Sequence, residues 1–225
     1  MVARRRAPVL WLAALALGLG APAGASAAVT VSYWHMNERS GSTMVDSASG
    51  LNGTLTNVGL GVPAVFSPGY SFNGSSSIAT VPHNAYHNVP PNTTFTVTTH
   101  VRFPAVPSAS VVDFDLIRKG LSSTSGGHWK MEIFTNGKAY CLFDGSNASR
   151  TINQGPNLAD NRWHTIQCIK RASSLSLVVD GVSYTSNVTI GAISNSSRLA
   201  VGAKYGGGGG DWYKGIMDEV SIVLG

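Results

Sequence analysis

Asp113 and Asp115 are the residues whose types and spacing come nearest to acid–base chemistry. Only Phe114 separates them within Val111–Lys119, a run that reads as a β-strand, so a period of two puts both carboxylates on one face. Two carboxylates flanking a bond are what glycoside hydrolysis requires, one as acid and the other as base or nucleophile. No third acid follows at strand spacing, and Asp-x-Asp is also common at strand edges and turns. Lys130 and Glu132 form a second pair, on the face opposite Trp129, Met131 and Ile133. They read either as a cross-strand ion pair of little energetic weight or as the floor of a polar groove that hydrogen-bonds hydroxyls. Arg118, Lys119, Lys130, His128 and Tyr140 could supply the cation and the base of a lyase. His83 and His87 have a helical zinc spacing but lack the accompanying Glu. They also lie between Pro82 and Pro90-Pro91, where a helix is disfavoured.

Aromatic residues form the other candidate surface. Tyr205, the five glycines Gly206 to Gly210, Trp212 and Tyr213 would make a glycine-rich loop ending in rings that stack on a sugar face. Rigid rings offer contact area with little rotamer entropy to lose. The alternative is that Trp212 and Tyr213 fold inward as the apolar start of the last strand.

Many short strands must position these residues. Val29–Met36, Ala64–Phe72, Ser77–Val81, Phe95–Phe103, Val111–Lys119, His128–Phe134, Lys138–Phe143, Trp163–Arg171, Leu175–Val179, Ser197–Lys204 and Gly215–Leu224 are rich in β-branched and aromatic residues. Asn73-Gly74, Asn136-Gly137, Asp144-Gly145 and Asp180-Gly181 punctuate them with hairpin turns. No helical period stands out beyond the first 27 residues, which predicts an all-β, two-sheet antiparallel sandwich.

Those first residues read as an export signal: Arg4, Arg5 and Arg6, an apolar run Val9–Gly20 too short to span a bilayer, and the small-residue motif Ala25-Ser26-Ala27. Residues 1–27 are thus expected to be removed, leaving residues 28–225 as one exported domain without a membrane span. The whole chain has 16 Lys+Arg and 11 Asp+Glu. Loss of three arginines leaves 13 against 11, a net +2 with no basic stripe, which argues against a nucleic-acid partner. Export permits a disulfide. Cys141 and Cys168, the only cysteines, fall in separate strands and are the expected pair; two buried thiols are the alternative.

Four segments carry a resemblance: Tyr33-Trp34-His35-Met36-Asn37-Glu38 with Gly50-Leu51-Asn52-Gly53; Phe72-Asn73-Gly74; Leu158–His164 with Leu175–Gly181; and Gly215-Ile216-Met217-Asp218-Glu219-Val220. In this order they resemble the laminin-G-like, concanavalin A-like jelly-roll family of lectin and glucanase folds. The hydrolases of that family use an E-x-D-x-x-E strand motif and its alginate lyases a Q-[IV]-H motif; neither occurs here. On the last strand a period of two puts Asp218 on the same face as Ile216, Val220, Ile222 and Leu224, and a buried carboxylate needs a cation or several hydrogen bonds. The resemblance implies a calcium site at Asp218 with Glu38 and the Gly74 turn; backbone N–H donors to Asp218 are the alternative. The expected function is a secreted, non-catalytic carbohydrate-binding or adhesion module, calcium-stabilised, whose ligand is a polysaccharide or glycoconjugate. The expected ligand residues are Trp212, Tyr213, Tyr205, Lys130, Glu132 and Arg118. A polysaccharide-degrading enzyme, lyase before hydrolase, is the second expectation, and a protein-interaction domain the third.

Overall fold

Short apolar runs separated by turn residues fold as two stacked antiparallel sheets. The structure is a computed structural model and describes residues 27–66, 68–108, 112–206 and 210–225. The expected export segment, but for Ala27, and residues 207–209 of the glycine run lie outside the described residues. In chain order the strands are β1 (Val29–Trp34), β2 (Thr43–Met44), β3 (Gly53–Thr56), β4 (Gly59–Val62), β5 (Gly69–Asn73), β6 (Ile78–Val81), β7 (Phe95–Arg102) and β8 (Asp113–Lys119). They continue as β9 (His128–Phe134), β10 (Ala139–Asp144), β11 (Ser149–Ile152), β12 (His164–Lys170), β13 (Ser174–Val179), β14 (Val182–Asn187), β15 (Leu199–Val201) and β16 (Lys214–Leu224). Among the described residues one 3-10 turn, Ala85–His87, holds His87, and His83 precedes it. Among the described residues no helix is long and apolar enough to cross a membrane.

Sheet A runs β14-β13-β12-β7-β16-β5-β4, with β1 also paired to β16; sheet B runs β11-β10-β9-β8-β15-β6-β3-β2. The alternation expected in β7 is present: Phe95, Val97, Thr99 and Val101 are buried. On sheet B the matching inward residues are Trp129, Met131 and Ile133 of β9 and Ala139, Cys141 and Phe143 of β10. Trp129 packs across the interlayer space on Phe95, with ring centroids 5.2 Å apart. Fully burying each such side chain stabilises the fold by about 1.5–3 kcal/mol. The Cys141–Cys168 disulfide joins β10 of sheet B to β12 of sheet A, with Cα atoms 5.8 Å apart.

Five strands were not legible in sequence: β2, β3, β4, β11 and β14. They are short or polar, and β14 (VSYTSN) has no fully buried residue. The expected strand over Ala64–Phe72 is confined to β5; Pro63 and Pro68 lack N–H groups, and the segment before Gly69 folds across sheet A instead.

Two bulges decide which side chains face outward. In β8 the pairing with β9 shifts between Asp115 and Ile117, so Leu116 and Ile117 are both buried. A regular strand would place Arg118 on the face opposite Asp115; the extra residue returns it to the same face. In β16 the register shifts between Asp218 and Ser221, with Glu219 in the left-handed region at φ 52°. Met217, Val220 and Ile222 therefore enter the core. This corrects the expected face: Ile216 is not in the core, and Asp218, paired with His100, projects from the outer side of sheet A.

Candidate functional site

The outer face of sheet B gathers the acids and bases that the sequence showed separately. Asp115 is the direct cross-strand partner of Glu132, and Arg118 that of Lys130. Tyr140 of β10 flanks Glu132, and Asp144 faces His128. Like charges directly opposite one another destabilise a sheet, so this pairing needs compensation. Arg118 Nη1 donates to Asp115 Oδ2 at 2.6 Å, and its Nε donates to the Gly120 carbonyl at 3.1 Å. The Lys130 ammonium contacts Glu132 Oε1 and lies 5.6 Å from the centroid of the Tyr140 ring. Asp113 completes a group of three in which register brings Glu132 to the Asp113–Asp115 pair: one oxygen of each of Asp113, Asp115 and Glu132 lies within 4.8 Å of the others.

Electrostatics follow burial. Asp115 and Glu132 have no solvent exposure. Burial, reinforced by the charge of Asp115, pushes the Glu132 carboxyl well above the ordinary carboxylate range. Burial and Asp115 also push Asp113 up to about 6. Burial opposes the charge on Lys130, but Glu132 outweighs it and holds the ammonium above its ordinary value. For His128 burial dominates and lowers its pKa, despite Asp144 at 3.4 Å.

Above these acids the surface opens into a cleft of about 280 Å³ lined by Arg118, Ser122, Ser123, His128, Lys130 and Lys204. A second cleft of about 220 Å³ continues from Arg118 past Arg198 to Tyr205. Lys204 is fixed by Asp211 at 2.9 Å. The Arg198 guanidinium sits 5.7 Å from the centroid of the Tyr205 ring, which is 49% exposed. The accessible wall is thus mainly polar, with Arg118, Lys130 and Lys204, the Ser122 and Ser123 hydroxyls, His128, Asp211 and the Tyr205 ring, and Asp113, Asp115 and Glu132 are buried.

The expected ligand residues divide on this map. Arg118, Lys130 and Glu132 come together, although Glu132 lies beneath the surface, and Tyr205 flanks the same groove. Tyr213 does not: it is fully buried, its ring 5.8 Å from both Phe72 and Phe114, and its hydroxyl donates to the Ile216 carbonyl at 3.0 Å. Trp212 packs, partly buried, on Ile78, Ala200 and Ala203. The inward-folding alternative describes both rings. His128, Lys204 and Asp211 belong to the groove without having been read there as ligand residues; no strand period links the loop residues Lys204 and Asp211 to β8 and β9.

The residues expected to hold calcium do not converge. Glu38 uses both oxygens, accepting from the Val45 N–H at 3.0 Å and from the Tyr70 hydroxyl. Gly74 abuts Lys214 and donates its N–H to the Tyr213 carbonyl, four residues and roughly 13 Å along β16 from Asp218. Asp218 accepts the Phe66 N–H at 3.0 Å, the backbone alternative. Beside it Glu219 pairs with His35 at 3.0 Å and pushes the Tyr33 phenol up to about 12.

A sequence model of the Laminin_G_3 family, described as the concanavalin A-like lectin/glucanases superfamily, matches residues 72–223. The chain belongs to this superfamily. Comparison with curated protein sequences gives no match. Among solved structures it is similar to the binding domain of Paraclostridial Mosquitocidal Protein 1 (TM-score 0.67, 15% identity, 86% of this chain and 48% of that one). It is also similar to domains LG4-5 of the mouse laminin alpha1 chain (TM-score 0.53, 16% identity, 68% and 40%). A third is domain 4 of AbnA, a GH43 extracellular arabinanase from Geobacillus stearothermophilus, in complex with arabinotriose (TM-score 0.64, 14% identity, 89% and 94%). The chain spans less than half the length of the first two. At these identities the likeness establishes the fold, a laminin-G-like jelly roll, and the superfamily's fold hosts several functions.

Proposed function

We propose that this chain is an exported carbohydrate-binding module, that residues 1–27 are its signal peptide and that residues 28–225 are its working domain. A polysaccharide or glycoconjugate lies on the outer face of sheet B. One observation carries the reading: the open groove is walled by donors already fixed in place, Arg118 by Asp115, Lys130 by Glu132 and Lys204 by Asp211. Immobilised donors lose little entropy when a hydroxyl-rich ligand arrives, and Tyr205 supplies an exposed ring for a sugar face. The arabinotriose complex of the AbnA domain supports a sugar as ligand for this architecture. A glycan array probed with the full mature chain tests this; retention of at least one glycan class is expected, and retention of none contradicts it.

A second reading is favoured by the three carboxylates, which would suit hydrolysis if one could reach a glycosidic oxygen. Asp115 and Glu132 are fully buried, with Arg118 and Lys130 forming the cleft wall, and that burial weighs toward binding without catalysis. Release of reducing ends, or of unsaturated uronate absorbance, from any polysaccharide retained on the array would reverse this preference.

A further inference from the structure

Behind the groove, the three acids of sheet B hold more acceptor oxygen than the protein supplies donors for. Asp115 Oδ2 is taken by Arg118 and Glu132 Oε1 by Lys130. Asp115 Oδ1, Asp113 Oδ1 and both Glu132 oxygens are buried without a hydrogen bond, Glu132 Oε1 having only the Lys130 ion pair. The side chains of Asp115 and Glu132 are themselves wholly buried. An unpartnered acceptor in the interior costs about 1–3 kcal/mol, and more when charged. Asp218 Oδ1 on sheet A is also unpartnered, but among the described residues it belongs to no group of three acids, whereas here each of three side chains brings a carboxylate oxygen within 4.8 Å of the others.

We propose that Asp113, Asp115 and Glu132 bind a divalent calcium ion on the floor of the sheet B groove. The donors are all hard oxygen, with no thiolate, which suits calcium rather than zinc. Calcium bonds oxygen at about 2.3–2.6 Å. Two oxygens on opposite sides of such an ion are then roughly 4.6–5.2 Å apart, and these three lie within 4.8 Å of one another. Magnesium needs a nearly ideal octahedron at about 2.0–2.1 Å, whereas calcium accepts irregular sets of oxygens. Asp113, at the start of β8, is the least buried of the three and marks the way in. Arg118 and Lys130 keep the outer oxygens engaged and so hold the inner ones toward the ion. The site does not depend on the glycan reading; it would stiffen β8 against β9 whatever lies in the groove.

The test uses the mature chain, stripped with a chelator and then dialysed separately against calcium, magnesium and manganese. Bound metal is counted by mass spectrometry and thermal unfolding is followed in parallel. The expected result is one calcium per chain and an unfolding temperature that rises with calcium concentration to saturation. Glu132→Gln and Asp113→Asn should each lose the calcium and the calcium-dependent rise, while Asp218→Asn should keep both. Asp113→Asn, at the edge of the cluster, decides the matter if Glu132→Gln fails to fold. No metal retained at millimolar calcium, calcium retained by Asp113→Asn, or calcium lost instead from Asp218→Asn would each overturn the site. So would a stripped protein whose stability is indifferent to calcium, since the three acids would then be sharing a proton.

Discussion

Two bulged strands, β8 in sheet B and β16 in sheet A, each carry a pair of acidic residues beside a break in regular alternation. Their surroundings differ. At β8 the acids meet Arg118 and Lys130, lie at the centre of a sheet face, and sit behind an open groove. At β16 they meet His35 and His100, and the segment around Phe66 crosses over them. The Phe66 N–H binds Asp218, and its ring stands edge-on to His100 at 5.4 Å. The bulges also differ in strain. Glu219 takes a left-handed conformation, which costs a non-glycine residue about 1–3 kcal/mol. Neither Leu116 nor Ile117 does so; both are simply buried. The same device therefore accompanies a buried polar floor beneath an open groove in one sheet and a covered, strained joint in the other.

The largest expected effect comes from removing the cations. Arg118→Ala should leave Asp115 buried and uncompensated and cost about 3–5 kcal/mol in urea unfolding. His35→Ala, at a side chain 40% exposed, should cost less than about 1 kcal/mol. Equal losses would erase the distinction between the two clusters. Next in size is the disulfide between the sheets that carry them. Its closed loop of 27 residues restricts the unfolded chain by about 3–4 kcal/mol. Cys141→Ala with Cys168→Ala should lower stability by that amount, and adding this pair to Arg118→Ala should give additive losses in the same assay, because the sites share no partner.

A smaller effect separates the bulges themselves. Glu219→Gly should relieve the left-handed strain while losing the His35 contact, for a net change within about 1 kcal/mol of zero. Leu116→Gly, at a bulge without that strain, should lose several kcal/mol of core packing. A large loss from Glu219→Gly would show that the β16 bulge is held by its side chain.

The smallest effect is a pH dependence outside both clusters. His164 donates to Asp180 at 2.7 Å and to Asp160 at 3.0 Å. Burial disfavours its charged form, but the two carboxylates outweigh burial and raise its pKa. The stabilisation is therefore complete below the unfolded histidine value near about 6.5 and fades as pH rises through the higher folded value. Thermal unfolding from pH 5 to 9 should show this decline, and Asp180→Asn should flatten it.

The sandwich was legible because alternation in Phe95–Val101 and the turn residues at Asn136-Gly137 and Asp180-Gly181 report directly on local structure. The pairing of Lys130 with Glu132 was legible for the same reason, since both sit in an unbroken strand. The third acid of the site was not, because Asp115 and Glu132 meet through the register of β8 against β9, across a loop whose length fixes no register. Arg118 on their face and Asp218 off the core face both depend on a bulge, which shifts a period of two without any local mark in the sequence. Tyr213 misled as a binding residue because an aromatic next to a glycine run looks exposed; its hydroxyl finds backbone carbonyls inside, which lets the ring enter the core.

The proposed function rests on sheet B, and not sheet A, presenting the ligand surface. Affinity for a glycan selected on the array should be measured by calorimetry for two double variants. Lys204→Ala with Tyr205→Ala alters the sheet B groove, and His35→Ala with His100→Ala alters the sheet A cluster. The sheet B pair should weaken binding at least about tenfold, a loss of roughly 1.4 kcal/mol, with the sheet A pair unchanged. Unchanged affinity in the sheet B pair, or loss confined to the sheet A pair, would contradict the assignment.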